Sequence, residues 1–257
     1  MMPPMLEAII FDFDGVICDT EPLHHRAFVR ALANVPIPLA EDEYYARYAG
    51  LNDRAVLRAV ARDQGLDLAE QNLESLLHAK NENYFTMIAD GIDRLPGVDR
   101  LVPRLARRWP LAICSGARRL EIETILQHAG LLEYFRVIVS GDEVQASKPD
   151  PAGYMVTLKR LRRLIPDVLA RQCLVIEDTA HGIAAARAAG MKALGIQSRL
   201  SPRQLAAADA TVPTLRSVSV QSLAAMFENG ETSESGFSGS RRQSSEADAL
   251  PLTGPDD

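Results

Sequence analysis

The sequence predicts an α/β fold, a doubly wound parallel sheet into which a domain of helices is inserted. Three observations carry that reading. From Leu95-Pro96-Gly97 onward, short apolar runs alternate with amphipathic helical stretches, the pattern of a right-handed parallel sheet. Residues 20–92 read instead as helices separated by short breaks. The insertion follows directly on a strand-like run that ends in two aspartates, Asp12 and Asp14.

That first strand lies within LEAIIFDFDGVICDTE, residues 6–21. Apart from Glu7 the opening residues are apolar, and Gly15 bounds the segment, as expected of a strand buried on both faces. Strand alternation aims Asp12 and Asp14 the same way. Two carboxylates aimed together at the end of a buried strand are costly unless a cation or a reaction uses them. The competing explanation is an acidic turn that caps the next helix.

Glu21-Pro22 opens the first helix, where proline is tolerated, with Thr20 near the N-cap and Phe28 and Leu32 on one stripe. PIPLAEDE breaks it, and EDEYYARY begins the second. Gly50-Leu51-Asn52 breaks again, with Asn52 or Asp53 expected to cap DRAVLRAVARDQ. The fourth helix, about residues 69–90, carries Leu73, Leu77, Tyr84 and Met87 on one face.

The sheet region continues with the amphipathic helix VDRLVPRLARR and the strand LAICS (111–115). A helix ending near Gly130, the strand RVIVS (136–140) and a helix at 151–164 follow. The strand CLVIE (173–177), a helix closed by Gly190 and the strand KALGI (192–196) complete the pattern. The expected organisation is a Rossmann-like core of residues 1–19 and 93–228 with a helical domain at 20–92. The basic run KRLRR (159–163) reads as a solvated helix face. Residues 229–257, rich in Ser, Gly, Glu, Asp and Pro, bury too little apolar surface to offset ordering entropy and are expected to be disordered.

A net charge of −6 over 257 residues gives no nucleic-acid footprint. Cys18, Cys114 and Cys173 show no metal-binding spacing and suit a reducing cytosol. No apolar run approaches the ~20 residues of a membrane span, and MMPPMLEAII lacks a basic region of the signal-peptide kind. The expectation is a soluble cytoplasmic protein acting on a small molecule, with neither nucleic acid nor membrane as partner. A monomer is compatible with the sequence, which leaves the oligomeric state open.

Polar residues gather where the predicted strands end. Asp12 and Asp14 end the first, Ser115 and Gly116 the second, Lys148 follows the third in SKPDP, and Glu177-Asp178 end the fourth. Ligands of open parallel sheets bind at those carboxyl ends. Each residue has a structural explanation alone: Ser115 as a helix cap, Lys148 as a turn lysine, Asp178-Thr179 as a cap. Their convergence does not.

DFDGVICDTE resembles the first motif of the haloacid-dehalogenase-like hydrolases, DxDGx[TV]xDT(E), and ICSGA, SKPDP and IEDTAHGI resemble the second, third and fourth. The resemblance implies an Asp12 nucleophile that becomes phosphorylated and an Asp14 general acid/base. Ser115 would bind a phosphoryl oxygen, and Lys148 would balance charge. Mg²⁺ would be held by Asp12, the Asp14 carbonyl, Asp178 and Glu177, the last directly or through water. Dehalogenases of the superfamily lack the second aspartate, so Asp14 argues for phosphoryl chemistry.

The helical domain resembles the C1-type cap of these proteins. HHRAF and AKNENYFTMI resemble cap segments of β-phosphoglucomutase and pentulose-bisphosphate phosphatases, which implies substrate contacts for His24, Lys80 and Asn81. Gly50 and Asn52 in the cap loop, and Gly116 in the core, join that expected set. The alternative for His24 and Lys80 is a pair of snorkelling side chains beneath a domain seam. Ala49 stands where the mutase has a basic residue, and Asp53 replaces its loop arginine, with Arg54 adjacent. The expected activity is therefore a Mg²⁺-dependent phosphatase of a small phosphorylated sugar. A β-phosphoglucomutase-like mutase is the alternative, and a non-catalytic binding protein is disfavoured because every catalytic position is filled.

Overall fold

The computed structural model describes residues 5–48, 51, 53–89, 91–198 and 203–228. Six strands form one sheet: β1 (Ala8–Phe11), β2 (Leu111–Cys114), β3 (Phe135–Val139), β4 (Cys173–Glu177), β5 (Lys192–Ile196) and β6 (Ala210–Val212). Their order is β3-β2-β1-β4-β5-β6, and every neighbouring pair is parallel. The chain starts in the middle of the sheet, winds outward to β3, then crosses back to β4. The reversal leaves the carboxyl end of β1 beside those of both β2 and β4, where a crevice opens.

Strand alternation divides the core in two. Ile9 and Phe11 join one apolar cluster, and Ala8 and Ile10 join the other. Helices α5 (Val98–Ala106), α6 (Arg119–His128) and α9 (Val220–Glu228) cover the first face through Leu101, Ile122 and Leu223. Helices α7 (Ala152–Leu161) and α8 (Ala180–Ala188) cover the second through Leu158 and Ile183. Both faces of β1 are thus dry, which is why its sequence is a continuous apolar run rather than an alternating one.

Between β1 and α5 lie α1 (Glu21–Ala31), α2 (Glu41–Arg47), α3 (Asp53–Asp63) and α4 (Glu70–Ala89). They close on a third cluster containing Phe28, Leu32, Tyr44, Leu57 and Leu73. The near ends of α1 and α4 belong to the sheet's cluster instead, through Leu23, Ala27, Tyr84 and Ile88. One face of the helical segment therefore rests on the sheet region.

Two elements were not anticipated. The strand β6 has three residues, Ala-Thr-Val, of which one is fully buried, so it offers no apolar run. The helix α9 buries only Leu223 and Phe227 completely. In the KRLRR run Lys159, Arg162 and Arg163 are exposed as expected, while Arg160 and Arg162 also donate to the Ile138 and Val168 carbonyls. Gly50, Asn52 and the expected disordered tail lie outside the described residues.

Candidate active site

The site begins where β1 stops. Asp12 extends the ladder by donating its backbone N–H to the Ile176 carbonyl at 2.9 Å. Phe13 falls in the same apolar cluster as Phe11 and is fully buried. Gly15 follows at φ +73°, and a Cβ there would collide with the Asp178 carboxylate. Conformation and clearance both require glycine. Thr20 occupies the N-cap position of α1, yet its hydroxyl makes no cap bond. It donates to Asp14 Oδ1 instead.

Lys148, in the loop after β3, has three ammonium hydrogens and finds three acceptors. Its Nζ lies 2.6 Å from Asp12 Oδ1, 2.7 Å from Glu177 Oε1 and 3.1 Å from the Cys114 carbonyl. Burial opposes its charge, but Asp12 and Glu177 outweigh it and hold the ammonium well above its ordinary pKa. Glu177, at the end of β4, is fully buried. Its Oε1 also accepts from the Tyr154 hydroxyl at 3.1 Å. Its Oε2 accepts from the Asp178 and Thr179 N–H groups and the Thr179 hydroxyl. Burial pushes this carboxyl up, but Lys148 and Thr179 prevail and keep it below the usual range. Thr179 caps α8 through Gly182 N–H, so the capping function of this segment falls to Thr179 and not to Asp178.

Asp178 takes a hydrogen bond on Oδ2 from Ser198 at 2.5 Å. Its Oδ1 is buried without a hydrogen-bond partner among the described residues. One oxygen each from Asp12, Glu177 and Asp178 lie within 4.8 Å of one another. Three carboxylates against the single Lys148 ammonium leave two negative charges, which a divalent cation would balance. An all-oxygen, carboxylate-rich donor set suits a hard ion such as Mg²⁺. Glu177 has both oxygens committed, so the donors open to an ion are on Asp12 and Asp178.

Burial pushes Asp12 up to about 7 against the pull of Lys148, with Glu177 and Asp178 adding repulsion. Asp178 is pushed up to about 7 by burial, with Glu177 and Asp14 adding to it and Ser198 opposing. Asp14 rises to about 7 through burial and then Glu121, against His24 and Thr20. A bound cation favours the ionised form of its ligands and counters these shifts.

Ser115, next after β2, is buried, and its hydroxyl accepts from Ala117 N–H at 3.0 Å. Arg118, not Ser115, holds the N-cap position of α6. Gly116 follows it and is exposed. In the helical segment, Lys80 is 1% exposed and lies 2.7 Å from Asp53 Oδ2 and 2.9 Å from His24 Nδ1. Asn81 follows on α4, half-buried. Sequence reasoning did not single out Tyr154, Ser198 or Glu121. Their roles depend on partners far along the chain, such as Glu121 accepting from Tyr84 across 37 positions.

Residues 9–196 match the family described as haloacid dehalogenase-like hydrolase. The chain belongs to this family. It is a hydrolase of that group, and named phosphatases are among its relatives. It is 34% identical over 189 residues to fructose-1-phosphate phosphatase YqaB of Escherichia coli (strain K12), covering 74% of this chain and 95% of that protein. It is 31% identical over 196 residues to β-phosphoglucomutase of Bacillus subtilis (strain 168), covering 74% of this chain and 83% of the relative. Among solved structures, CbbY from Rhodobacter sphaeroides in complex with xylulose-(1,5)bisphosphate matches at TM-score 0.71 and 27% identity, covering 82% of this chain and 95% of that one. No helix among the described residues is long and apolar enough to cross a membrane.

Proposed function

We propose that the protein is a Mg²⁺-dependent phosphatase that hydrolyses a small phosphorylated sugar through an aspartyl-phosphate. The observation that carries this is Asp12 Oδ1, held 2.6 Å from the Lys148 ammonium in a carboxylate cluster with Asp178, whose Oδ1 has no hydrogen-bond partner among the described residues. Asp12 and Asp178, with the Asp14 backbone carbonyl, would hold the ion, and Glu177 would act on it through water while orienting Lys148. Bound there, Mg²⁺ supplies positive charge that lets a phosphate dianion approach a carboxylate.

Asp12 attacks phosphorus, and the bond to the sugar oxygen breaks as Asp14 hands its proton to the leaving alcohol. An Asp14 carboxyl pushed up to about 7 is suited to carry that proton near neutrality. Asp14, now ionised, takes a proton from water as the water attacks the aspartyl-phosphate, which releases phosphate and restores Asp12. Ser115 and Lys148 bind the phosphoryl oxygens and counter charge through both steps.

We assign residues 20–92 as the cap and residues 1–19 with 93–228 as the catalytic core. His24, Lys80 and Asn81, with Gly116 of the core, form the substrate side of the site; the Gly50 and Asn52 assignment lies outside the described residues. The sugar-phosphate reading draws support from the E. coli relative and from a Thermotoga maritima relative named phosphorylated carbohydrates phosphatase, 31% identical over 188 residues. The B. subtilis relative keeps a mutase as the second reading. Against it stands the Lys80–Asp53 pair, which neutralises a cap cation that the far phosphate of a bisphosphate would need.

Phosphate release from fructose 1-phosphate with Mg²⁺, abolished by EDTA and restored by Mg²⁺, is the expected result. Full turnover by metal-free protein would reject the ion's role. Glucose 6-phosphate formed from β-glucose 1-phosphate with a bisphosphate primer would favour the mutase.

A further inference from the structure

Glu121, on α6, is a buried acid that the phosphoryl-transfer steps do not use. It is 4% exposed, and a carboxylate taken that far from water is costly unless it is held. The groups that hold it come from the helical insert. Tyr84 of α4 donates its hydroxyl to Glu121 Oε1, and His24 Nε2 of α1 lies 3.5 Å from the same oxygen. The two rings are stacked, with centroids 4.3 Å apart and planes at 24°, so both donors arrive as one unit.

The other edge of the imidazole meets a cation. His24 Nδ1 lies 2.9 Å from Lys80 Nζ, an ammonium with hydrogens to give and no lone pair to offer. Lys80 is anchored in turn by Asp53 at 2.7 Å, with its Nζ 5.1 Å from the Phe28 ring centre and 4.9 Å from that of Tyr84. The imidazole thus has a donor facing Nδ1 and an acceptor facing Nε2. Burial and Lys80 oppose a charge on the imidazole, while Glu121 and Asp14 raise its pKa. A second proton on Nδ1 would face the Lys80 ammonium, so the form that satisfies both neighbours has the lone pair on Nδ1 and the hydrogen on Nε2.

We propose that Glu121 is a positioning residue, which locks His24 in the Nε2–H tautomer across the seam and so fixes the pose in which His24 and Lys80 meet the substrate. The word substrate rests on the sugar-phosphatase reading, whereas the lock does not. Glu121 belongs to the sheet region; it accepts from Tyr84 of α4 and lies 3.5 Å from the His24 imidazole of α1. It therefore registers the insert against the core at the one imidazole that faces both.

The test joins imidazole ¹⁵N–¹H NMR of the full chain with kinetics, on wild type, E121Q, E121L and Y84F. The expected wild-type spectrum has His24 as a single species protonated on Nε2. E121L should show mixed tautomers. Its ratio of kcat/KM for fructose 1-phosphate to that for para-nitrophenyl phosphate should fall roughly tenfold to a hundredfold, as when a charged hydrogen-bonding partner is lost. E121Q keeps an acceptor oxygen and should recover most of both signals, and Y84F should keep the tautomer because Glu121 remains. A wild-type His24 protonated on Nδ1, or exchanging between tautomers, would overturn the proposal, and that spectrum decides the matter even if E121L does not fold. Equal losses on the two phosphates in E121L and E121Q alike would reduce Glu121 to a purely structural group. A locked tautomer in a chain that hydrolyses no sugar phosphate would retire the substrate reading and leave the lock standing.

Discussion

Asp12 faces the Lys148 ammonium at 2.6 Å. If Asp12 is the proposed nucleophile, Asp12→Asn deletes the attacking anion while relieving repulsion from Glu177 and Asp178. Turnover should fall by several orders of magnitude, on the order of the losses seen when other nucleophiles are removed. The melting temperature should hold or rise. Ordinary hydrolysis by the purified variant would show that the nucleophile lies elsewhere. Gly182 is the complementary case, since it carries no chemistry and makes the chemistry possible. A Cβ at this position would run into the Glu177 carboxylate, which orients Lys148. Gly182→Ala should cost roughly 1–3 kcal/mol, the usual range for overpacking, and lower activity with it. Urea titration alongside phosphate release checks both, and a silent variant would mean that α8 has room to shift.

Elements were legible where one physical rule governed them, and not where distant partners did. The strands β1, β2, β4 and β5 announce themselves because both their faces are dry, and Asp12, Ser115 and Glu177-Asp178 were legible because each follows such a run. The strand β6 has no such signature, and Ser198 is a loop hydroxyl until the fold brings it 2.5 Å from Asp178. The turn after β3, Gly141–Glu143, is another element decided by distance. Glu143 accepts from Arg119 of α6 and Arg160 of α7, both at 2.5 Å, and from Ser140 N–H at 3.0 Å. Partial burial pushes its carboxyl up, but Arg160, Ser140 and Arg119 outweigh it and hold the group at about 2 instead of the usual 4.5. Between those values the unfolded chain binds the extra proton, so stability rises with pH across the window. The contribution is complete above about 4.5 and is lost as pH falls through about 2. Glu143→Gln should therefore flatten the acid limb of a stability–pH curve measured by denaturant titration. An unchanged limb would mean that the two arginines do not hold the turn in solution.

At the scale of the whole molecule, the helical insert packs its own apolar cluster and also shares the sheet's cluster through α1 and α4. The outgoing and returning chains pair at its base, with Cys18 bridged to Arg94 and Leu95 N–H donating to the Ile17 carbonyl at 2.9 Å. If the insert is the proposed cap, a connection tied at its base would let it swing as a lid while the base stays in place. On that view the core supplies phosphoryl chemistry to any monoester, and the insert selects among them. Lys80 tests the division of labour. Its ammonium is buried at 1% exposure and bonded to Asp53 and His24, so it reaches a sugar only through that network or after closure rearranges it. Lys80→Met keeps the apolar stem against Phe28 and Tyr84 but removes the charge, leaving Asp53 and His24 Nδ1 without their donor. The ratio of kcat/KM for fructose 1-phosphate to that for para-nitrophenyl phosphate should fall by roughly one to three orders of magnitude, the scale of losing a charged hydrogen-bonding partner. The aryl ester is too short to need the insert and reports on the core alone. If both esters lose equally, Lys80 supports the fold or the chemistry and not the choice of substrate. If no phosphorylated sugar is affected, the lysine is a buried tie beneath the seam, and selection must come from the cap loop instead.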